Sequence, residues 1–179
     1  MCSHLNQNAT FYEAGQAGST WRIQRGILKL MRPTPRGLEL VQLALPGDIV
    51  GVETLCGEAY AYTAVALQNC TLMQPDVAGD FQRFSIVAQG YLQQQQRMQD
   101  MVKLRTGTVA SRVAHMLQLF RFRADGTLSD IAREDLPTFK EMAGLLDIAP
   151  ETICRELSHF LPKRSGHRHA FGQAVVGVV

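Results

Sequence analysis

With 179 residues, 46% hydrophobic and 19% charged, the chain has the make-up of a globular protein forming one medium domain or two small ones. No apolar run approaches the roughly eighteen residues a membrane-spanning helix needs. The N-terminus, Met1 to Asn6, has no basic stretch followed by an apolar one, which predicts no secretory signal and a cytoplasmic protein. The formal net charge of +2 is too small to argue for any partner. Beyond Pro150, however, Arg155, Lys163, Arg164 and Arg168 face only Glu151 and Glu156, a short basic end suited to phosphate.

The first eighty residues carry strand and turn signals. Trp21 to Gln24 alternates apolar and polar residues, Ile27 to Met31 is rich in β-favouring types, and Pro33, Pro35 and Gly37 predict a turn before Leu38 to Leu45. Pro46-Gly47-Asp48 is a further turn, since Pro fixes φ and Gly accepts a positive φ. Another β-type run spans Tyr60 to Leu67. Short strands at this spacing predict a small antiparallel barrel or sandwich.

From Phe81 to Leu104 there is no Pro, and Phe84, Val87, Tyr91, Met98 and Met101 recur at three- and four-residue steps. A second apolar face holds Phe81, Ala88, Leu92 and Val102. Two such faces let one helix pack on its own barrel and on a partner helix. A second helix is predicted from Thr108 to Phe122, with Val109, Val113, Met116, Leu117 and Phe120 inward.

The strongest local pattern lies between Thr138 and Phe160. Pro137 suits a helix start, and Met142, Leu145 and Leu146 give a short buried face. Asp147-Ile148-Ala149 makes a tight connection, with Asp147 tolerant of left-handed geometry. Pro150 opens a second helix, with Ile153, Leu157 and Phe160 facing inward. Glu151, Thr152 and Arg155 then face outward, as a recognition helix requires. Arg can donate two hydrogen bonds to guanine and Glu can accept from cytosine, while Thr152 and the helix N-terminus can approach phosphate.

Glu151-Thr152-Ile153-Cys154-Arg155 resembles the E-T-[VI]-[SGC]-R signature of the Crp/Fnr family of bacterial transcription regulators. Pro46 to Gly51 resembles the same family's turn in its cyclic-nucleotide-binding-type β-roll. The resemblance implies an α+β chain: an N-terminal antiparallel β-roll over residues 1–80, a dimerisation helix over 81–104, and a winged helix-turn-helix over 105–179. It implies a homodimer on a near-palindromic stretch of double-stranded DNA, with RNA polymerase as a further partner. Glu151 and Arg155 match base-reading positions, and Thr138 and Thr152 match positions that touch phosphate. Lys163, Arg164 and Arg168, around a wing turn at Ser165-Gly166, are the further phosphate candidates.

The match fails at the effector site. Nucleotide-responsive members of that family place Glu after the glycine that corresponds to Gly51, and Arg then Ser or Thr about ten residues on. Here those positions hold Val52, Tyr60 and Ala61, so a cyclic phosphate would lose its charge partner. Glu53 falls one place late and is expected on the other face of a strand. The segment before Phe11 is also shorter than the family's. The pocket candidates are therefore Gly51, Val52, Glu53, Tyr60, Ala61 and Tyr62. Tyr60 and Tyr62 are expected to fill the space, no cyclic AMP response of the usual kind is predicted, and the effector is unknown.

Cys2, Cys56, Cys70 and Cys154 are scattered, so no zinc or iron–sulfur site, and no cofactor, is read from their spacing. His167 and His169 lack a third ligand and are read as solvated or phosphate-facing. Two other readings compete with a DNA-binding regulator. One is a small-ligand sensor or β-barrel enzyme whose helical region only dimerises. The other is a redox-responsive regulator using Cys56, Cys70 or Cys154, which requires a thiol of lowered pKa.

Overall fold

The computed structural model of the chain describes residues 1–131, 133 and 136–161. Among these described residues, eight strands form two antiparallel four-stranded sheets. In chain order the strands are β1 (Cys2–Leu5), β2 (Thr10–Tyr12), β3 (Trp21–Arg25), β4 (Leu28–Thr34), β5 (Gly37–Ala44), β6 (Ile49–Val50), β7 (Thr63–Ala66) and β8 (Cys70–Met73). One sheet runs β1-β8-β3-β6 and the other β2-β7-β4-β5. Inward residues from both sheets, among them Trp21, Ile23, Leu28, Leu30, Ala64 and Leu72, share one core. The period-two alternation read at Trp21 to Gln24 is what this packing demands: buried Trp21 and Ile23 flank half-buried Arg22.

Two strand readings need correction. Pro33 lies inside β4, paired with Leu38, and the turn is confined to Pro35 and Arg36. A proline is tolerated there because β7 pairs with β4 only as far as Met31, so at Pro33 one side of β4 has no ladder partner. Tyr60 precedes β7 rather than opening it. The short pairs β1–β8 and β2–β7, which bring the N-terminus into both sheets, have no sequence signal strong enough to read.

The long helix α1 (Asp80–Arg105) begins with Asp80 and ends with Lys103 and Arg105, charges that complement its dipole. It buries Ile86, Gly90, Arg97, Asp100, Met101 and Leu104. A Cβ on Gly90 would stand 3.1 Å from Val52, which explains the small residue where α1 crosses the 3₁₀ turn at Val52–Cys56. Helix α2 (Val109–Phe120) is capped by the Thr108 hydroxyl, which accepts from Ser111 N. Two short helices follow, α3 (Phe139–Leu146) and α4 (Pro150–Phe160).

The helices do not form a separate core. Leu104, Met116, Met142, Leu146, Ile153 and Leu157 pack in one cluster with Ile27, Leu43, Leu45 and Leu67 of the β-structure. Among the described residues, no helix is long and apolar enough to cross a membrane.

Candidate functional site

The α3–α4 pair is built by capping and by a left-handed turn. Thr138 caps α3, its hydroxyl accepting from Glu141 N at 3.3 Å while the Glu141 carboxylate accepts from Thr138 N at 3.1 Å. Asp147 ends α3 at φ 52°, ψ 53°, the left-handed geometry expected from its residue type. Pro150 occupies the first turn of α4. Ile153 and Leu157 are fully buried beneath it, which turns Glu151, Cys154, Arg155, Ser158 and His159 outward.

Arg155 is 71% exposed, and its ion pair, at 3.8 Å, is with Glu156 rather than with Glu151. An exposed contact of that length holds neither group. Thr152 is half-buried at the start of the helix. Phe160, expected inward, lies on the same stripe as Ile153 and Leu157 but is the last residue of α4 and is 40% exposed. Lys163, Arg164, Arg168, the Ser165-Gly166 turn, His167 and His169 lie outside the described residues.

One guanidinium fixes this pair to the rest of the chain. Arg112 of α2 donates through Nε to Leu104 O at 3.2 Å and through Nη2 to Asp147 O at 3.3 Å. The end of α1 and the α3–α4 turn are thus held by one side chain. The Glu141 carboxylate also pairs with Lys29 of β4 at 3.6 Å and accepts from Gln7 at 3.3 Å. The Thr138 hydroxyl donates to that same carboxylate at 3.0 Å, so in this arrangement it is already engaged.

On α1 the apolar residues separate by face. Phe81, Phe84, Tyr91, Leu92, Met98 and Val102 are all more than half exposed, and Ala88 and Gln95 are exposed with them. Phe81, Phe84, Ala88, Tyr91, Gln95, Met98 and Val102 repeat in alternating steps of three and four, a heptad seam. Met101, read with that stripe, is instead 9% exposed and packed in the core, and Val87 is half-buried. The reason is geometric: α1 turns 86, 90, 93, 97, 101 and 104 onto the β-structure, and Met101 is on that side.

The interior of the β-roll is occupied by aromatic side chains. Tyr60 is 5% exposed and stacks on Tyr12 with ring centroids 3.7 Å apart and planes 13° from parallel. Its hydroxyl donates to Ser19 O at 2.7 Å and accepts from Ser19 N at 2.8 Å. A Cβ on Gly18 would collide with that hydroxyl. One on Gly51, where φ is +69°, would come within 2.6 Å of the ring. Both glycines make room for Tyr60. Burial pushes the Tyr12 phenol well above its usual range, with the Glu53 charge adding to the shift.

Glu53 is not on a strand. It lies in the 3₁₀ turn Val52–Cys56, where its carboxylate accepts from Ala61 N at 2.8 Å and ties that turn to the Tyr60–Tyr62 loop. Tyr62 is half-buried at the edge of the roll core, and Val52 faces Gly90 of α1. A cleft of about 730 Å³ opens elsewhere, between Arg25, Gly26 and Asn69 of the roll and Arg123, Asp125 and Ile131.

Asp48 of the Pro46-Gly47-Asp48 turn reaches α1. Its two carboxylate oxygens accept from Arg97 at 2.8 and 3.1 Å, and one also accepts from Leu45 N at 2.8 Å. Arg97 pairs in turn with Asp100, whose other oxygen meets His115 of α2 at 3.1 Å. Burial pushes the Asp48 carboxyl up against the opposing pull of Arg97. At Arg97 burial is outweighed by hydrogen bonds and charge from both aspartates, which hold the guanidinium protonated. No motif in the sequence singles out Arg97, and only its position among apolar helix residues marks it.

Residues 3–84 match the cyclic nucleotide-binding domain family. The transcriptional regulator LdrP of Thermus thermophilus is 33% identical over 131 residues, covering 71% of this chain. Its counterpart from a second strain of that species is 33% identical over 132 residues. The chain spans 66% of the length of each, just under two thirds. Among solved structures, a CRP-family transcriptional regulator, also from Thermus thermophilus, superposes with a TM-score of 0.63 at 29% identity, over 88% of this chain and 83% of that one. FixK2 from Bradyrhizobium japonicum shares the fold alone, at 19% identity and a TM-score of 0.63 over 89% of this chain and 83% of that one.

Proposed function

We propose that this chain, a relative of the transcriptional regulators of the CRP/FNR family, acts as a homodimer that binds a near-palindromic DNA site. That kinship bears out the resemblance read from the sequence, and the matched relatives are regulators rather than enzymes. The observation that carries the proposal is the outward display of Glu151 and Arg155, four residues apart on a helix seated on buried Ile153 and Leu157. In the major groove, Arg155 would donate to guanine and Glu151 would accept from cytosine, with Thr152 and Thr138 near phosphates. For Thr138 this requires release of its hydroxyl from Glu141. Lys163, Arg164 and Arg168 would add phosphate contacts, and RNA polymerase would be the further partner at a promoter.

The division of labour follows the boundaries at 80 and 104: a β-roll, a dimerisation helix, and a winged helix-turn-helix from 105 onward. The seam from Phe81 to Val102 would pair with its copy. Control by cyclic AMP is not part of the proposal, because Tyr60 fills the interior and no arginine stands at its position.

Selection of bound duplexes from a random pool, with and without cyclic AMP, tests the reading. A two-fold symmetric consensus recovered in both conditions is expected. Failure to enrich any sequence, or enrichment only with the nucleotide, overturns the corresponding claim. Arg155→Ala should cost about 1–3 kcal/mol in binding and relax one base position.

A further inference from the structure

On the outer face of the β1 edge, a thiol, an imidazole and a thioether are brought together. Cys2 and His4 are two apart on β1 and both exposed, so they share one face of the sheet. Cys2 pairs directly with Met73 across the β1–β8 ladder, and His4 pairs with Thr71. Directly paired residues project on the same side, with Cβ atoms about 4.5–5.5 Å apart. Met73 is 45% exposed. Cys2 Sγ stands 3.7 Å from His4 Nε2, and His4 Nδ1 stands 3.2 Å from Thr71 Oγ1.

We propose that Cys2, His4 and Met73 bind a single copper(I) ion. With Nδ1 protonated and donating to Thr71, His4 presents the Nε2 lone pair on the side where Cys2 stands. An outer hydroxyl fixing the ring in this way is what oriented metal-binding histidines use. At the bond lengths zinc makes, about 2.3 Å to sulfur and about 2.0–2.1 Å to nitrogen, a metal spanning the 3.7 Å between Sγ and Nε2 subtends about 115–120°. That leaves a third position open, and the Cys2–Met73 register puts the Met73 side chain on the same face, on the neighbouring strand, to supply sulfur. Thiolate and thioether are soft donors that favour copper(I) over magnesium, calcium or manganese.

Binding forms the Cu–Sγ, Cu–Nε2 and Cu–Sδ bonds and releases the Cys2 thiol proton to solvent. No electron is transferred. Among the described residues, no three His, Cys, Asp or Glu side chains converge, so the thioether is essential to this set. Arg22, beside Met73 on β3, donates to Gly47 O and Gln89, which turns its charge toward α1, while Arg25 stands opposite Thr71 on the same ladder. The site stands apart from the DNA-reading proposal and does not depend on it.

The test is anaerobic competition for copper(I) against a chromophoric copper(I) chelator. The full chain would carry Cys56→Ser and Cys154→Ser, to remove the other exposed thiols. One equivalent of copper(I) taken from the chelator is expected, with X-ray absorption reporting both sulfur and nitrogen neighbours. Cys2→Ser and His4→Gln should each weaken binding at least about 100-fold, and Met73→Leu and Thr71→Val about 10-fold. All four positions are exposed or half-buried, and thermal unfolding checks that each variant is folded. No copper(I) taken up, unchanged affinity in folded Cys2→Ser or His4→Gln, or tighter retention of zinc(II) than of copper(I) would each overturn the proposal.

Discussion

Tyr60 is clamped between Tyr12, on which it stacks at 3.7 Å, and the Ser19 backbone, which its hydroxyl meets as both donor and acceptor. Tyr60 thus belongs to the core of the roll. Calorimetric titration with cyclic AMP at about 1 mM is expected to show no heat and no rise in Tm, since a ligand bound to the native state would raise it. Tyr60→Phe, which leaves the Ser19 groups without the hydroxyl, should destabilise by about 1–3 kcal/mol. A clear Tm rise with the nucleotide in the wild type would refute this account of the pocket.

The two faces of α1 make opposite predictions for neighbouring methionines. Met98→Glu, on the exposed seam, should weaken self-association at least about 10-fold in sedimentation analysis while the monomer stays folded. Met101→Ala, in the core, should cost about 2–5 kcal/mol of stability. Equal loss of folding in both variants would show that the faces are wrongly assigned.

Asp48 and Arg97 couple the Pro46-Gly47-Asp48 turn to α1 through two hydrogen bonds. Arg97→Met strands the buried carboxylates and is expected to cost about 3–5 kcal/mol in urea unfolding. Adding Asp48→Asn should recover part of that loss, because the amide carries no charge to leave unpaired. A double variant no more stable than Arg97→Met alone would argue against a charge-based origin.

Cys70 is buried, and its thiol donates to Gln68 O at 3.1 Å and to Ile27 O at 3.4 Å. Burial pushes its pKa from an ordinary 9.0 up to about 11. Above the unfolded value, the unfolded chain loses the thiol proton while the native chain keeps it. The contribution is therefore intact below pH 9 and is lost as pH rises toward about 11, by about 2–3 kcal/mol. Comparing wild type with Cys70→Ala by urea unfolding at pH 8 and pH 10.5 isolates this share, and a constant difference would contradict it. A raised value also argues against Cys70 as the redox thiol, which would need the opposite shift.

Some features are legible in the sequence because they depend on neighbours along the chain. The alternation at Trp21 to Gln24, the Pro46-Gly47-Asp48 turn, the left-handed Asp147 and the stripe of α4 follow from local backbone preference and helical period. The same locality makes Glu151 and Arg155 readable as outward residues from sequence alone. Periodicity cannot say which of two apolar faces of α1 meets the roll, so it groups Met101 with the exposed seam. It cannot reveal that Glu53 binds Ala61, that Arg97 reaches Asp48, or that Met73 stands opposite Cys2. Asp48 and Arg97, and Cys2 and Met73, come from segments far apart in sequence, and Glu53 meets Ala61 across a loop, so only the packing of sheet against sheet and helix against roll makes them neighbours.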